Sequence, residues 1–303
     1  MRRAIGIDLG GTQIRAALID EEGTILSRAV RTTPAKSGAA AVVDVIRDAA
    51  AEAAGDLGFD GVDGIGVASP GPLDTIRGVT LGLPTISGFD NVPLRAMLGD
   101  AFGRDVVLEN DGIAAAIGEW RFGAGQGLSD FIYITVSTGI GGGVVAGGQI
   151  LRGQKGMAGH VGHLTLYPDG IRCGCGNLGC WESYAAGPAF EARANLAEGR
   201  TFGADAPSVF AAARAGDRVA SALVDVEARY LGLGLVSLLH LFNPQQIIMG
   251  GGICHHFDLL LPGIVSQVQQ LAMPAFRDTV IVRAQHFGNS GLLGAAGLIF
   301  SGA

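Results

Sequence analysis

The sequence predicts an α/β protein made of two related lobes facing a cleft, and three observations carry that reading. A strand–glycine turn–strand unit, AIGIDLGGTQIRAALID (4–20), returns as FIYITVSTGIGGGVVAGG (131–148). Each unit is followed by alternating β and α segments, the pattern of packed α/β layers. The 50 glycines are spread through apolar runs and are not collected into linkers. They mark tight turns and close backbone approaches, not disorder.

Taken in order, AIGIDLGG and QIRAALID read as a hairpin, and EEG (21–23) turns the chain into TILSRAV. SGAAAVVDVIRDAAAEAAGDLG (37–58) has helical composition and spacing, with Ser37 as its N-cap. GVDGIGVAS (61–69) and DVVLEN (105–110) are strands, and GIAAAIGEWRFG (112–123) is a helix. After the second glycine-turn unit come helices over 187–198 and 217–242 and the short strand QQIIMGGG (245–252). A helix over 255–271, the strand TVIVRAQ (279–285) and an apolar helix over 290–301 follow. The boundary is expected at 111, between a smaller N-terminal lobe (1–111) and a larger one (112–289). The final helix (290–303) is expected to pack back on the smaller lobe.

Composition excludes several classes. With 303 residues and 48% hydrophobic content, the chain can bury a substantial core. A net charge of −7 with no basic run argues against nucleic acid as a partner. The longest apolar stretch, LGLGLVSLLHLFNP (231–244), is too short for a membrane span and is interrupted by His240. Asp8 breaks the first apolar run too early for a secretory signal. The expected location is the cytoplasm, where clustered thiols point to metal before disulfides.

Three of the four cysteines lie in GHVGHLTLYPDGIRCGCGNLGCWESY (159–184). Cys173, Cys175 and Cys180 supply three thiolates, and His163 supplies an imidazole. Together they make a closed zinc sphere with no position left for water, hence a structural site. Gly174, Gly176 and Gly179 let the loop fold tightly enough for the sulfurs to converge. Free buried thiols or a redox pair are the alternative. Cys254, far off in sequence, reads as a small buried residue.

Three apolar strands end in small residues: IGIDLGGTQ (5–13), ITVSTGIGGG (134–143) and IIMGGGI (247–253). Glycine lets backbone amides approach phosphate oxygens, and Thr12 and Thr138 add hydroxyls. None fits a P-loop or a strand–GxGxxG–helix unit. Any one alone reads as a tight hairpin. Asp8 within the first turn would repel phosphate unless a divalent cation such as Mg²⁺ lies between them; a turn-capping role is its plain alternative.

IGIDLGGT, STGIGGG and GGGI resemble the phosphate and adenosine motifs of the actin-like (ribonuclease H-like) sugar kinase superfamily. GHVGH…CGCGNLGCWE resembles the mark of one branch, the ROK family of bacterial sugar kinases and sugar-responsive repressors. The resemblance covers essentially the whole chain. It implies two actin-like lobes around a cleft, with a zinc-bound loop. It also implies ATP-dependent phosphorylation of a hexose, glucose or a related sugar, at the 6-hydroxyl, with Mg²⁺ accompanying ATP and structural Zn²⁺. The nucleotide then falls to Asp8, Gly10, Gly11, Thr12, Thr138, Gly139, Gly251 and Gly252. The sugar falls to Gly71, Asn110, Asp111, His160, His163 and Glu182, and the metal to His163, Cys173, Cys175 and Cys180. A homodimer or homotetramer is expected, with its surface on the larger lobe.

LENDGIAAA (108–116) sets Asn110 and Asp111 at a strand–helix junction. Taken alone, Asp111 is an N-cap. The resemblance makes it the general base that takes the proton of the attacking hydroxyl, with Asn110 on the sugar. Glu109 has no assigned role. ASPGPLD (68–74) is a rigid turn in which the resemblance places Gly71 against the sugar; an ordinary loop is the alternative.

Two positions depart from the family. Its E-x-G-H reads His160-Val161-Gly162-His163, and its P-N reads Pro84-Thr85, with Phe89 where an aromatic is expected. An imidazole offers one acceptor where a carboxylate offers several, so the sugar is left open, as is ATP against polyphosphate. A sugar-binding or sensing protein with weak or no kinase activity is the alternative. A repressor is disfavoured, because the first phosphate turn begins within ten residues of Met1 and leaves no room for a helix-turn-helix before it.

Overall fold

The structure is a computed structural model and describes residues 1–83 and 85–300. Strands β1 (Arg3–Leu9), β2 (Gln13–Asp20) and β3 (Ile25–Thr32) form an antiparallel meander. The apolar run of β1 is buried on both faces, as a central strand requires, while β3 exposes Arg28, Arg31 and other polar residues at the sheet edge. Helix α1 (Gly38–Ala54) lays Val42, Val43, Ile46, Ala49 and Ala50 over β2 and β3. Ser37 occupies its N-cap position but makes no side-chain capping bond.

Strand β4 (Gly64–Ser69) adds parallel to β1. Then β5 (Leu73–Asp74), β6 (Val79–Leu81) and β7 (Asp90–Val92) form a small three-stranded sheet ahead of α2 (Leu94–Phe102). Strand β8 (Val107–Asn110) pairs parallel with β4 and runs straight into α3 (Asp111–Phe122).

The second half repeats the plan. Strands β9 (Phe131–Val136), β10 (Ile140–Ala146) and β11 (Gln149–Ile150) are antiparallel neighbours. The long excursion after them carries α4 (Glu182–Ala185), α5 (Gly187–Leu196), α6 (Ala206–Arg214) and α7 (Arg218–Phe242). Strand β12 (Gln246–Gly250), α8 (Phe257–Leu271), β13 (Val280–Arg283) and α9 (Ser290–Phe300) complete the chain. The two five-stranded sheets have matching orders, β3-β2-β1-β4-β8 and β11-β10-β9-β12-β13. In both, the second strand of the order runs antiparallel to the other four. The sequence repeat is therefore a structural one.

Helix α9 packs on β1, β4 and α3, and α3 packs in turn on β10 and β9, so this helix pair lies between the sheets. Their approach is closer than any side chain allows. A methyl at Gly66 of β4 would meet the Ala295 carbonyl oxygen at 1.8 Å, and one at Gly294 of α9 would meet that of Ala114 at 1.6 Å. These glycines are where the backbones touch.

Several elements differ from the sequence reading in detail. The helix expected over 255–271 starts as a 3-10 turn, Gly252–His256, before α8. The small sheet, α2 and α6 go beyond the sequence reading; strands of two or three residues show no alternation, and both helices are only nine residues long. Pro84 and residues 301–303 lie outside the described residues.

Gly294→Ala tests the helix contact. An added methyl must push α9 off α3, and the expected loss is about 1–3 kcal/mol or more in urea unfolding. A wild-type midpoint would mean the helices are not in this contact.

Candidate active site

Parallel strands place the first group of site residues. In the first sheet the carboxyl ends of β1, β4 and β8 lie side by side, with Asp8 opposite Ala68 and Ser69 opposite Asn110. Open α/β sheets bind ligands beyond such ends. Asp8, Gly71, Asn110 and Asp111 all follow from that edge.

Asn110 is the N-cap of α3. Its Oδ1 accepts the amides of Gly112 at 3.0 Å and Ile113 at 3.3 Å. The capping role open to Asp111 is thus taken by its neighbour. Asp111 is the first helical residue, and its Oδ1 accepts the Gly112 amide at 2.8 Å. With Oδ1 committed, the Asn110 Nδ2 faces the Gly71 turn. A methyl at Gly71 would lie 3.2 Å from that nitrogen and 2.9 Å from the His160 ring. Three candidates from distant parts of the chain therefore meet at one point.

Glu109, left without a role by the sequence, is 3% exposed and holds this junction. It accepts the Asn110 amide at 3.0 Å and the Arg152 Nε at 2.9 Å. Burial nonetheless pushes its carboxyl above the usual range, against the lowering effect of those partners.

Asp111 keeps some solvent contact as a residue, yet its carboxyl is enclosed by protein. Its pKa is pushed up to about 6, first by burial and second by the charge of Asp8. Asp8 itself pairs with Arg15, whose guanidinium also reaches the Gly288 carbonyl. The start of α9 adds its amide end, since a methyl at Gly291 would lie 3.7 Å from the Asp8 Cγ.

The second sheet offers its own carboxyl edge. Gly251, at φ 88°, presses on the end of β9, where a side chain would meet the Val136 carbonyl oxygen at 2.4 Å. Gly252 lies beside Ser137, where a methyl would be 3.7 Å from Oγ. The second and third glycine turns are thus adjacent. Thr138 is exposed there, and Gly139 abuts Glu182, whose Oε2 accepts the Ile140 amide at 2.9 Å. In the first turn the Gly10 amide bonds the Gln13 carbonyl at 2.9 Å, and Thr12 is exposed. Gly11 abuts Thr85, the residue that departs from the family. This first turn joins the other two through Asp8, Asp111 and α3, whose Gly112 sits against Gly142 of β10.

His160 and His163 flank a 3-10 turn, Val161–His163, with ring centroids 6.1 Å apart. Burial, then the neighbouring His163, holds the His160 pKa below its ordinary value. The ligand atoms of His163, Cys173, Cys175 and Cys180 all lie within 4.8 Å of one another. The His163 Nδ1 is 3.7 Å from the Cys173 Sγ, and the sulfurs of Cys175 and Cys180 are 3.6 Å apart. Three thiolates so close repel unless a dication sits among them, and this S₃N donor set fits tetrahedral zinc. Cys173 Sγ also lies 3.8 Å from the Glu182 Oε1, which ties the metal loop to the second glycine turn. Cys254 is buried in the core of the second half.

Two carboxyl edges with glycine turns, joined across a buried helix, make this an actin-like α/β fold. The chain belongs to the ROK family, which it matches over residues 4–301. A glucokinase of Streptomyces coelicolor is 38% identical over 315 residues, with 98% of each chain covered. Among solved structures, a ROK hexokinase from Thermus thermophilus superposes with a TM-score of 0.83 at 41% identity, over 99% of this chain and 98% of that one. A ROK family glucokinase from Streptomyces griseus, crystallised with glucose and AMPPNP, gives a TM-score of 0.85 at 38% identity over 98% of each.

Cys175 is exposed and ends no core contact, so Cys175→Ser should leave the chain folded while abolishing stoichiometric zinc in metal analysis. Retention of one zinc per chain by this variant would exclude the four-ligand set.

Proposed function

We propose that the chain transfers the terminal phosphoryl group of ATP to the 6-hydroxyl of a hexose, glucose or a related sugar, with Asp111 as general base. That it is a sugar kinase rests on whole-length likeness to kinases of the family. The role of Asp111 rests on one observation above the others: a carboxyl with pKa about 6 lies at the junction of both halves while Asn110 relieves it of capping.

In this reading Gly71, Asn110, His160, His163 and Glu182 hold the sugar. With Nδ1 of His163 turned to the thiolates, its Nε2 is left for a hydroxyl. The Asn110 Nδ2 donates to a sugar oxygen, and the Glu182 Oε1 accepts from one, since its Oε2 serves Ile140. His160, kept neutral by burial, contributes one donor and one acceptor. Asp111 draws the proton from the 6-hydroxyl as that oxygen attacks the γ-phosphorus and the bond to the β-phosphate oxygen breaks, releasing ADP. The amides of Gly11, Thr12, Thr138, Gly139, Gly251 and Gly252 face the phosphates and nucleotide, while Gly10, its amide bonded to the Gln13 carbonyl, shapes the first turn against them. Asp8 retains Oδ1 for hydrated Mg²⁺, which neutralises phosphate charge when bound with ATP. Zinc, when bound, fixes the loop that carries His163 and precedes Glu182.

The lobes are proposed as 1–111 and 112–289, closing on the sugar to exclude water. Among the described residues no helix is long and apolar enough to cross a membrane. Within the same proposal the enzyme is cytoplasmic and a homodimer or homotetramer.

A coupled ADP-release assay over hexoses, hexosamines and N-acetylhexosamines tests the reading. Turnover is expected with at least one sugar, with kcat/KM rising with pH through about 6 to a plateau. The base must be ionised, so at pH 5 about a tenth of the plateau should remain. Asp111→Asn should bind sugar and lose roughly 10²–10⁴-fold in kcat. Near-normal kcat in that variant would remove Asp111 from the base role. No turnover with any sugar by the zinc-bound protein would favour a sugar-binding or sensing protein.

A further inference from the structure

Glu119 is fully buried inside α3, two turns beyond Asp111, and accepts four bonds. Oε1 takes the His286 amide at 2.9 Å and the Ser290 hydroxyl at 2.7 Å. Oε2 takes the amides of Gln285 and Ala124, each at 3.0 Å. Gly123 leaves room for this, since a methyl there would lie 2.2 Å from Oε2. Three of the four donors belong to one segment, 285–290, which links β13 to α9. One carboxylate thus sets the path of that linker and the starting point of the helix.

The linker ends at the nucleotide side of the site. Its Gly288 carbonyl accepts from Arg15, the residue paired with Asp8. Asn289 Oδ1 accepts from Arg28 of β3 at 2.6 Å. The first turn of α9 then brings Gly291 beside the Asp8 carboxylate. Moving segment 285–290 by an ångström would move both partners of Asp8, the guanidinium anchor and the helix amide end. The sugar-side residues are held by other means: Asn110 by Glu109 and its own cap, and Glu182 by Ile140.

We infer that Glu119 is a positioning residue for nucleotide binding: by clasping segment 285–290 it fixes Asp8 through Arg15 and the start of α9. The inference rests on the proposed role of Asp8 toward phosphate-bound magnesium. A carboxylate suits the task because four inward-pointing donors need an acceptor-only group. In Glu119→Gln the amide group faces two N–H or O–H donors, so one side of the clasp must open.

The test is calorimetric titration of the full-length, zinc-bound protein with magnesium–AMPPNP and, separately, with the best sugar of the panel. Glu119→Gln should weaken nucleotide binding by roughly 10–100-fold, the usual cost of losing an outer partner of a metal-site ligand. Ser290→Ala, which removes one of the four donors to Glu119, should weaken it several-fold. Sugar affinity should stay within about twofold in both, and the Gln285 and His286 amides should exchange hydrogen faster in the ligand-free protein. Equal losses for sugar and nucleotide, or no loss for either, would overturn the inference. If Glu119→Gln does not fold, Ser290→Ala decides on the same criteria. Asp8→Asn separates the two levels of the argument. Unchanged nucleotide affinity in Asp8→Asn would remove the reading beneath, whereas a loss there without a loss in Glu119→Gln and Ser290→Ala would remove the positioning role alone.

Discussion

Helix α3 can begin where it does because glycine faces glycine: one methyl at Gly112 would meet the Gly142 backbone of β10 at 2.7 Å, and one at Gly143 would meet the Gly112 carbonyl oxygen at 3.1 Å. The rest of the site depends on this approach. It brings the carboxyl end of β8, from the first sheet, onto a strand of the second. Asp111 is thereby the residue at which the two halves of the repeat meet. Asn110 completes the junction by capping the helix, and Glu109 by bonding back to Arg152, a residue beyond β11. Of three consecutive side chains, the first holds the joint, the second caps the helix and the third keeps a buried carboxyl.

The same geometry divides the work of the two acidic groups. Asp8 is compensated twice, by Arg15 and by the amide end of α9. The Asp111 carboxyl is instead raised by burial and by the charge of Asp8. The proposed function gives these unequal surroundings unequal roles, with Asp8 holding charge and Asp111 exchanging a proton. The cysteine loop meets His163 and, through Cys173 and Glu182, borders the second glycine turn.

Much of this was readable in the sequence because it depends on local pattern. The glycine turns announced both sheets, and their repetition announced the matching strand orders. The cluster from His163 to Cys180 spans few enough residues for spacing to predict its convergence. Helix α7 matches the helix expected over 217–242, and the structure adds Asp217 as its cap and a left-handed Asn243 at its end. What escaped is long-range. Glu109 finds Arg152 across 43 positions and Glu119 finds His286 across 167, and neither glutamate carries a local sign of its partner. Thr85 departs from the family in letters, and only the fold shows that it abuts Gly11. The convergence of Gly71, Asn110 and His160 followed from the resemblance; composition and spacing are silent on it.

A structure of this chain with a hexose and a non-hydrolysable ATP analogue bound together tests the central claim most directly. The account predicts an Asp111 carboxylate oxygen within about 2.6–3.2 Å of the 6-hydroxyl, with that hydroxyl in line with the γ-phosphorus. A closed complex in which the 6-hydroxyl lies beyond hydrogen-bond reach of Asp111, or in which another side chain holds its proton, would contradict it.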